Sequence, residues 1–192
     1  MEKLKAFQAG NIGQLAIKNR LVRSATFEYM GTETGEVNDA LVKLYRNLAE
    51  GGVGLIITGF ASVHPESWVH PQGMRIHDDR YIEGLQRIPD AVHELANGCR
   101  IILQLGHAGR HQVSPELADW TVAPSAVYDE LFQRTPRELN LREIEEIIDC
   151  FAEAIRRARD ARFDGVQLHA AHGWLLSTFL SPRTNKRTDA YG

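Results

Sequence analysis

Short, mostly apolar runs alternate with amphipathic stretches along this chain, and their order predicts an architecture. The runs at residues 53–58 (VGLIIT), 100–105 (RIILQL) and 165–168 (GVQL) have the length and content of strands covered on both faces. RLVRSA at residues 20–25 is a further strand, and two apolar patches around Gly10 and Gly13 predict a hairpin within residues 1–18. Between the runs the period changes to that of helices. Residues 40–50 set Leu41, Leu44, Tyr45 and Leu48 on one face and end at Gly51-Gly52. Residues 82–95 form the next helix, closed by Asn97-Gly98. Asn140, with Glu143 three positions on, forms a capping box ahead of a helix whose apolar set is Leu141, Ile144, Ile148, Phe151, Ile155 and Ala158. A last apolar run covers residues 174–180.

Strand and helix in repeated alternation imply an α/β chain with a parallel sheet of right-handed crossovers. Long polar loops carrying histidines follow the strands, notably residues 106–139, whereas the connections leading back into strands are short. That asymmetry predicts a (β/α)8 barrel of TIM type, with its site at the carboxyl ends of the strands. The rival is a doubly wound sheet, but no GxGxxG or GxxxxGK[ST] turn follows the first strand. A full barrel usually takes about 250 residues. Four strands in 192 residues therefore read as about the first half of a single domain spanning residues 1–192, completed by a C-terminal half or by another chain, as in a homo-oligomer.

Composition narrows the partners. The formal charge of −3 at pH 7 gives no reason to expect nucleic acid or an anionic membrane. No stretch has the length of a membrane span or a signal sequence, and Cys99 and Cys150 show no metal or redox spacing. These features predict a cytoplasmic protein with free thiols, acting on a small molecule. The basic run at residues 183–187 reads as a solvated loop.

Candidate chemistry gathers at strand ends. His169 and His172 leave the 165–168 strand three positions apart, where a strand-to-helix turn brings such residues to one rim. Two imidazoles there suit the oxygen of a carbonyl or phenolate, or else cap the following helix. Gln104 offers a donor and an acceptor near the end of its strand, for the edge of a planar heterocycle or for a neighbouring loop. His107, Arg110 and His111 follow it; Arg110 suits an anion or carboxylate, or equally one of the abundant surface acids. A histidine-held metal is the weaker alternative, because HxxH is not HExxH and no acid stands at ligand spacing. The small residues Ser24, Ala25 and Thr26, and Thr58-Gly59, would let a flat ligand approach the backbone, and equally suit tight packing.

KNRLVRSAT, GGVGLIITG, QLGHAGR and DGVQLHAAHGWLLSTFLSPRTNKRTDAYG together resemble the Old Yellow Enzyme family of FMN-dependent oxidoreductases, as do VAPSAV and TPRELNLREIEEIIDCFAEAIRRA. The likeness runs nearly end to end and implies a (β/α)8 barrel that binds FMN. It implies that Ala25 and Thr26 lie along the flavin through their backbone, that Gly59 and Phe60 pass beside it, and that Gln104 meets its pyrimidine edge. His169 and His172 match the pair that binds the carbonyl oxygen of an enone. NADH or NADPH would reduce FMN, which then passes hydride to an activated alkene. Phe27 stands where the family often has Thr or Cys, and Trp174 where it has a proton-donating Tyr; an indole N–H has no useful acidity. The family grips the FMN phosphate with later loops, so the resemblance also implies weak FMN binding by these 192 residues alone. A half-barrel without turnover is the alternative function.

Overall fold

Apolar spacing and local caps account for the elements of the computed structural model, which describes residues 4–192. Strands β1 (Gly10–Ile12) and β2 (Leu15–Ile17) pair as the antiparallel hairpin; residues 1–3 of the predicted hairpin segment lie outside the described residues. The remaining elements are β3 (Val22–Arg23), α1 (Asp39–Glu50), β4 (Leu55–Ser62), β5 (Met74–Arg75), α2 (Ile82–His93), β6 (Arg100–Gly106), β7 (Val122–Ala123), β8 (Arg137–Glu138), α3 (Leu141–Asp160), β9 (Gly165–Leu168) and α4 (Leu175–Phe179). The main sheet has the order β3-β4-β6-β9, all parallel, with β5 added to the far end of β4. Sequential strands lie side by side with a helix between each pair, the order the alternation predicts.

Helices α1, α2 and α3 cover one face of this sheet. Leu41, Tyr45 and Ala49 recur every four residues on α1 and are fully buried. The α3 cap forms as predicted: Asn140 Oδ1 accepts from the Glu143 amide at 3.0 Å, and Glu143 returns a carboxylate to the Asn140 amide at 2.9 Å. The buried stripe of α3 is Ile144, Ile147, Phe151, Ala154 and Ala158. Leu141, Ile148 and Ile155, expected inside, are 49%, 50% and 42% exposed. They form a second stripe at seven-residue spacing, and Ile148, its middle member, lines an apolar groove with Phe179, Leu180 and Tyr191.

Three further expectations need correction. The first strand is two residues long instead of six, because the chain after Arg23 leaves the ladder toward the strand ends. Burial on both faces holds for most of β4 but not for β9, where Leu168 is 48% exposed, nor for β6. There Ile101, Leu103 and Leu105 are buried against helices, while Ile102 and Gln104, pointing the other way, are half-buried. The 183–187 run is not simply solvated. The Arg187 side chain is 5% exposed; it donates to the carbonyls of Pro124 (2.9 Å) and Leu139 (2.6 Å) and pairs with Asp189, tying the last loop to β7.

Candidate functional site

The carboxyl ends of β3, β4, β6 and β9 converge on one cleft. Ala25, Thr26 and Phe27 from the chain after β3, Phe60 from β4, Gln104 from β6, and His169, His172 and Trp174 after β9 line a space of about 180 Å³. A second hollow of about 290 Å³ continues along the same wall past Gln167, Ala170 and Ala171, sharing Gln104 and both histidines. Parallel register sets Gln104 directly beside Gln167, and Gln104 Nε2 donates to Gln167 Oε1 at 2.7 Å. The wall is therefore a pair of coupled amides, and the Gln104 carbonyl remains an acceptor.

The two imidazoles face each other with ring centroids 5.3 Å apart. His169 is buried, stacked on Trp174 at 4.7 Å and edge-on to Phe60 at 6.1 Å. Burial pushes its pKa below the usual histidine value; contact with its own backbone opposes this, and the charge His172 can carry adds to it. At neutral pH His169 is thus an uncharged ring with one N–H to give. His172 is exposed, and its backbone sits in the left-handed region at φ 57°, uncommon for a residue with a side chain. Gly173 follows at φ 73°. A neutral buried donor beside an exposed one, over small residues and an amide edge, can hold an oxygen atom next to a flat ring.

Comparison with known proteins places this arrangement. The family described as NADH:flavin oxidoreductase / NADH oxidase matches residues 5–192. The chain belongs to this family. It is 42% identical to an NADH oxidase of Thermoanaerobacter brockii, over 97% of this chain and 29% of that protein. It is 36% identical to an NADPH dehydrogenase of Clostridium acetobutylicum, over 98% of this chain and 55% of that protein. Among solved structures, Old Yellow Enzyme from Pichia sp. AKU4542 superposes with a TM-score of 0.89 at 31% identity, covering 98% of this chain and 51% of that one. The chain thus spans between 29% and 55% of the length of these relatives. Its four parallel strands and their helices are part of the (β/α)8 barrel of the Old Yellow Enzymes.

Within this NADH:flavin oxidoreductase fold, Gly59 stands apart from the cleft lining. The β4–β6 register slips between Ile57 and Phe60, and at that bulge the Gln104 amide donates to Thr58 Oγ1 at 3.1 Å. The freed Gly59 amide donates to Glu28 Oε1 at 2.8 Å, and Tyr45 Oη also donates to that carboxylate. A Cβ on Gly59 would collide with the Thr26 backbone carbonyl as well as with Glu28 Oε2, so only glycine fits there. Burial raises the Glu28 pKa, against the hydrogen bonds from Tyr45 and Gly59. Sequence reasoning passed over Gln167 and this Glu28–Tyr45 pair. Gln167 carries a signal in retrospect: β6 and β9 both read Gln-Leu just before a histidine, LQLGH and VQLH.

The other loop residues go elsewhere. His107 is buried and kept neutral, its pKa pushed down to about 3 by burial; its Nδ1 accepts from the Gly109 amide at 3.1 Å. Arg110, expected to hold an anion or to pair with a surface acid, pairs instead with a buried one: its Nε donates to Asp129 at 2.6 Å. His111 joins the same carboxylate. Among the described residues no group of three or more His, Cys, Asp or Glu is placed to hold a metal ion, and no helix is long and apolar enough to cross a membrane.

Proposed function

We propose that this chain forms the N-terminal half of an FMN-dependent oxidoreductase that takes hydride from NADH or NADPH and delivers it to an activated alkene such as an enone. The observation that supports this most is the meeting of Gln104, His169 and His172 in one cleft over Ala25 and Thr26. That donor set fits FMN: small residues admit a flat ring, and the Gln104–Gln167 amides match the donors and acceptors of a pyrimidine edge. Bound there, FMN supplies the hydride chemistry. The chain's own residues do the rest. His169 and His172 donate to the acceptor's carbonyl oxygen and stabilise the negative charge that grows on it. Phe60 and Trp174, with ring centroids 4.5 Å apart, shield that oxygen from water. Trp174 stacks on His169 and holds its ring, and the proton for the product comes from another donor, because an indole does not ionise in this range. Gly59 acts one step removed, by fixing the bulge that sets Phe60 beside the cleft.

The proposed partner is the remainder of the barrel. Strand β9 ends the described path of the sheet with Leu168 48% exposed, and α3, whose outer stripe is open, packs against it. The complete protein is expected to purify yellow, with FMN released on denaturation and its visible bands bleached anaerobically by NADH or NADPH. A colourless complete protein overturns the reading. The 192-residue chain on its own is expected to bind FMN at least about 100-fold more weakly than the complete barrel, since half the wall and its contacts are missing. Flavin fluorescence titration compares the two, and equal affinities would show that the other half adds nothing to the site.

A further inference from the structure

The left-handed turn at His172 and Gly173 is braced from outside the cleft. The His111 ring lies so close to the Gly173 α-carbon that a Cβ there would collide with it. The backbone of His172 lies close enough to the ring to favour its protonated form, against burial, which lowers its pKa. The His111 Nε2 is 3.1 Å from Asp129 Oδ2, and the Phe132 ring packs on the imidazole at 4.6 Å. Asp129 is itself fixed on both oxygens. Oδ2 accepts from Arg110 Nε at 2.6 Å, and Oδ1 accepts from the amides of Leu131 (2.9 Å) and Phe132 (3.3 Å). Arg110 also donates to the Tyr128 carbonyl at 3.3 Å and receives Arg134 on its own carbonyl at 3.4 Å. Asp129 is 5% exposed and Arg110 6%, and the pair borders a hollow of about 350 Å³ together with His111 and Gly173.

A left-handed backbone at a residue with a side chain persists only where its surroundings hold it. His172 is exposed on its own side of the turn, so the holding comes from the His111 side. We propose that His111, anchored by Asp129 and Arg110, is a positioning residue that clamps the His172–Gly173 turn and keeps the His172 imidazole facing His169 across the cleft. It does not line the cleft; it acts through the backbone. The proposal rests on the reading that the two imidazoles bind the acceptor's oxygen.

The test uses the complete FMN-loaded protein and 4-chlorophenol as an oxygen ligand. His111→Ala is expected to weaken phenol binding about tenfold, the size of a coupling between contacting groups, with FMN content unchanged. His111→Gln, whose amide can still donate to Asp129, recovers part of the loss and guards against a variant that simply folds badly. In a His172→Ala background, His111→Ala should cost nothing further. A full tenfold loss in that background, or no loss in the native one, overturns the proposal. The His172 imidazole resonances, identified by their disappearance in His172→Ala, give a separate readout. They shift in His111→Ala if the clamp is real and stay in place if it is not. Phenol binding insensitive to His172→Ala, with those resonances still moved by His111→Ala, leaves the clamp standing and removes the oxygen-binding reading.

Discussion

Replacing His169 by alanine is expected to lower kcat for an enone about 100-fold in the complete protein, a typical cost of losing one donor to a developing oxyanion. His172→Ala should cost less. His169 is 8% exposed and fixed between Trp174 and Phe60, whereas the His172 side chain is open to solvent, where water can replace part of what it gives. Because the charge on the oxygen grows along the reaction, the loss falls on kcat more than on KM. His169→Asn keeps an N–H donor near the same place and should recover part of the rate. Burial also holds His169 neutral, so around neutral pH ligand binding should follow the ionisation of a phenol and not of this histidine. In the stability curve the sign is equally definite. A histidine whose folded pKa is depressed stabilises the native state above its ordinary value near 6.5, and that contribution fades as pH falls below it. Stopped-flow reoxidation of the reduced flavin by cyclohexenone measures the step directly. An unchanged rate in His169→Ala would remove this residue from the oxygen-binding role.

Local pairings and the common direction of parallel strands were legible in the sequence, whereas what covers a face or surrounds a side chain was not. The α3 cap could be read because both of its hydrogen bonds join residues three apart, so Asn140 and Glu143 carry the whole signal. The convergence of His169, His172 and Gln104 could be read because parallel strands put all their exits on one side. The exposed stripe of Leu141, Ile148 and Ile155 could not, since periodicity says which residues share a face and not whether anything covers it. Arg187 looked like one of several surface cations. Its burial depends on the carbonyls of Pro124 and Leu139, 63 and 48 residues away in sequence. Gly59 illustrates a third limit. A small residue near a strand end suits either a ligand or another backbone, and here the bulge turns it toward Glu28.

Asp129→Ala is expected to destabilise the fold by about 3–5 kcal/mol, because it leaves a buried guanidinium without its counter-charge. The Arg110 and Asp129 side chains are 7% and 6% exposed, so water from the hollow they border replaces only part of the missing carboxylate. The amides of Leu131 and Phe132 lose their acceptor in the same change. A pair such as Arg142–Glu146, at 2.8 Å but with side chains 87% and 55% exposed, should matter little by comparison. Acid provides a second measure of the same interaction. Burial alone would raise the Asp129 pKa, but the Arg110 hydrogen bond and charge and the two backbone amides outweigh it and hold the carboxyl below its ordinary 3.8. Its contribution is therefore complete above that pH and is lost as pH falls through the lowered folded-state value. Urea unfolding of the complete protein across pH 3 to 7 should show the acid limb flattened in Asp129→Ala as well as the whole curve lowered. A loss below about 1 kcal/mol at neutral pH would mean that water replaces the carboxylate in full, and that Asp129 does not anchor the His172 turn.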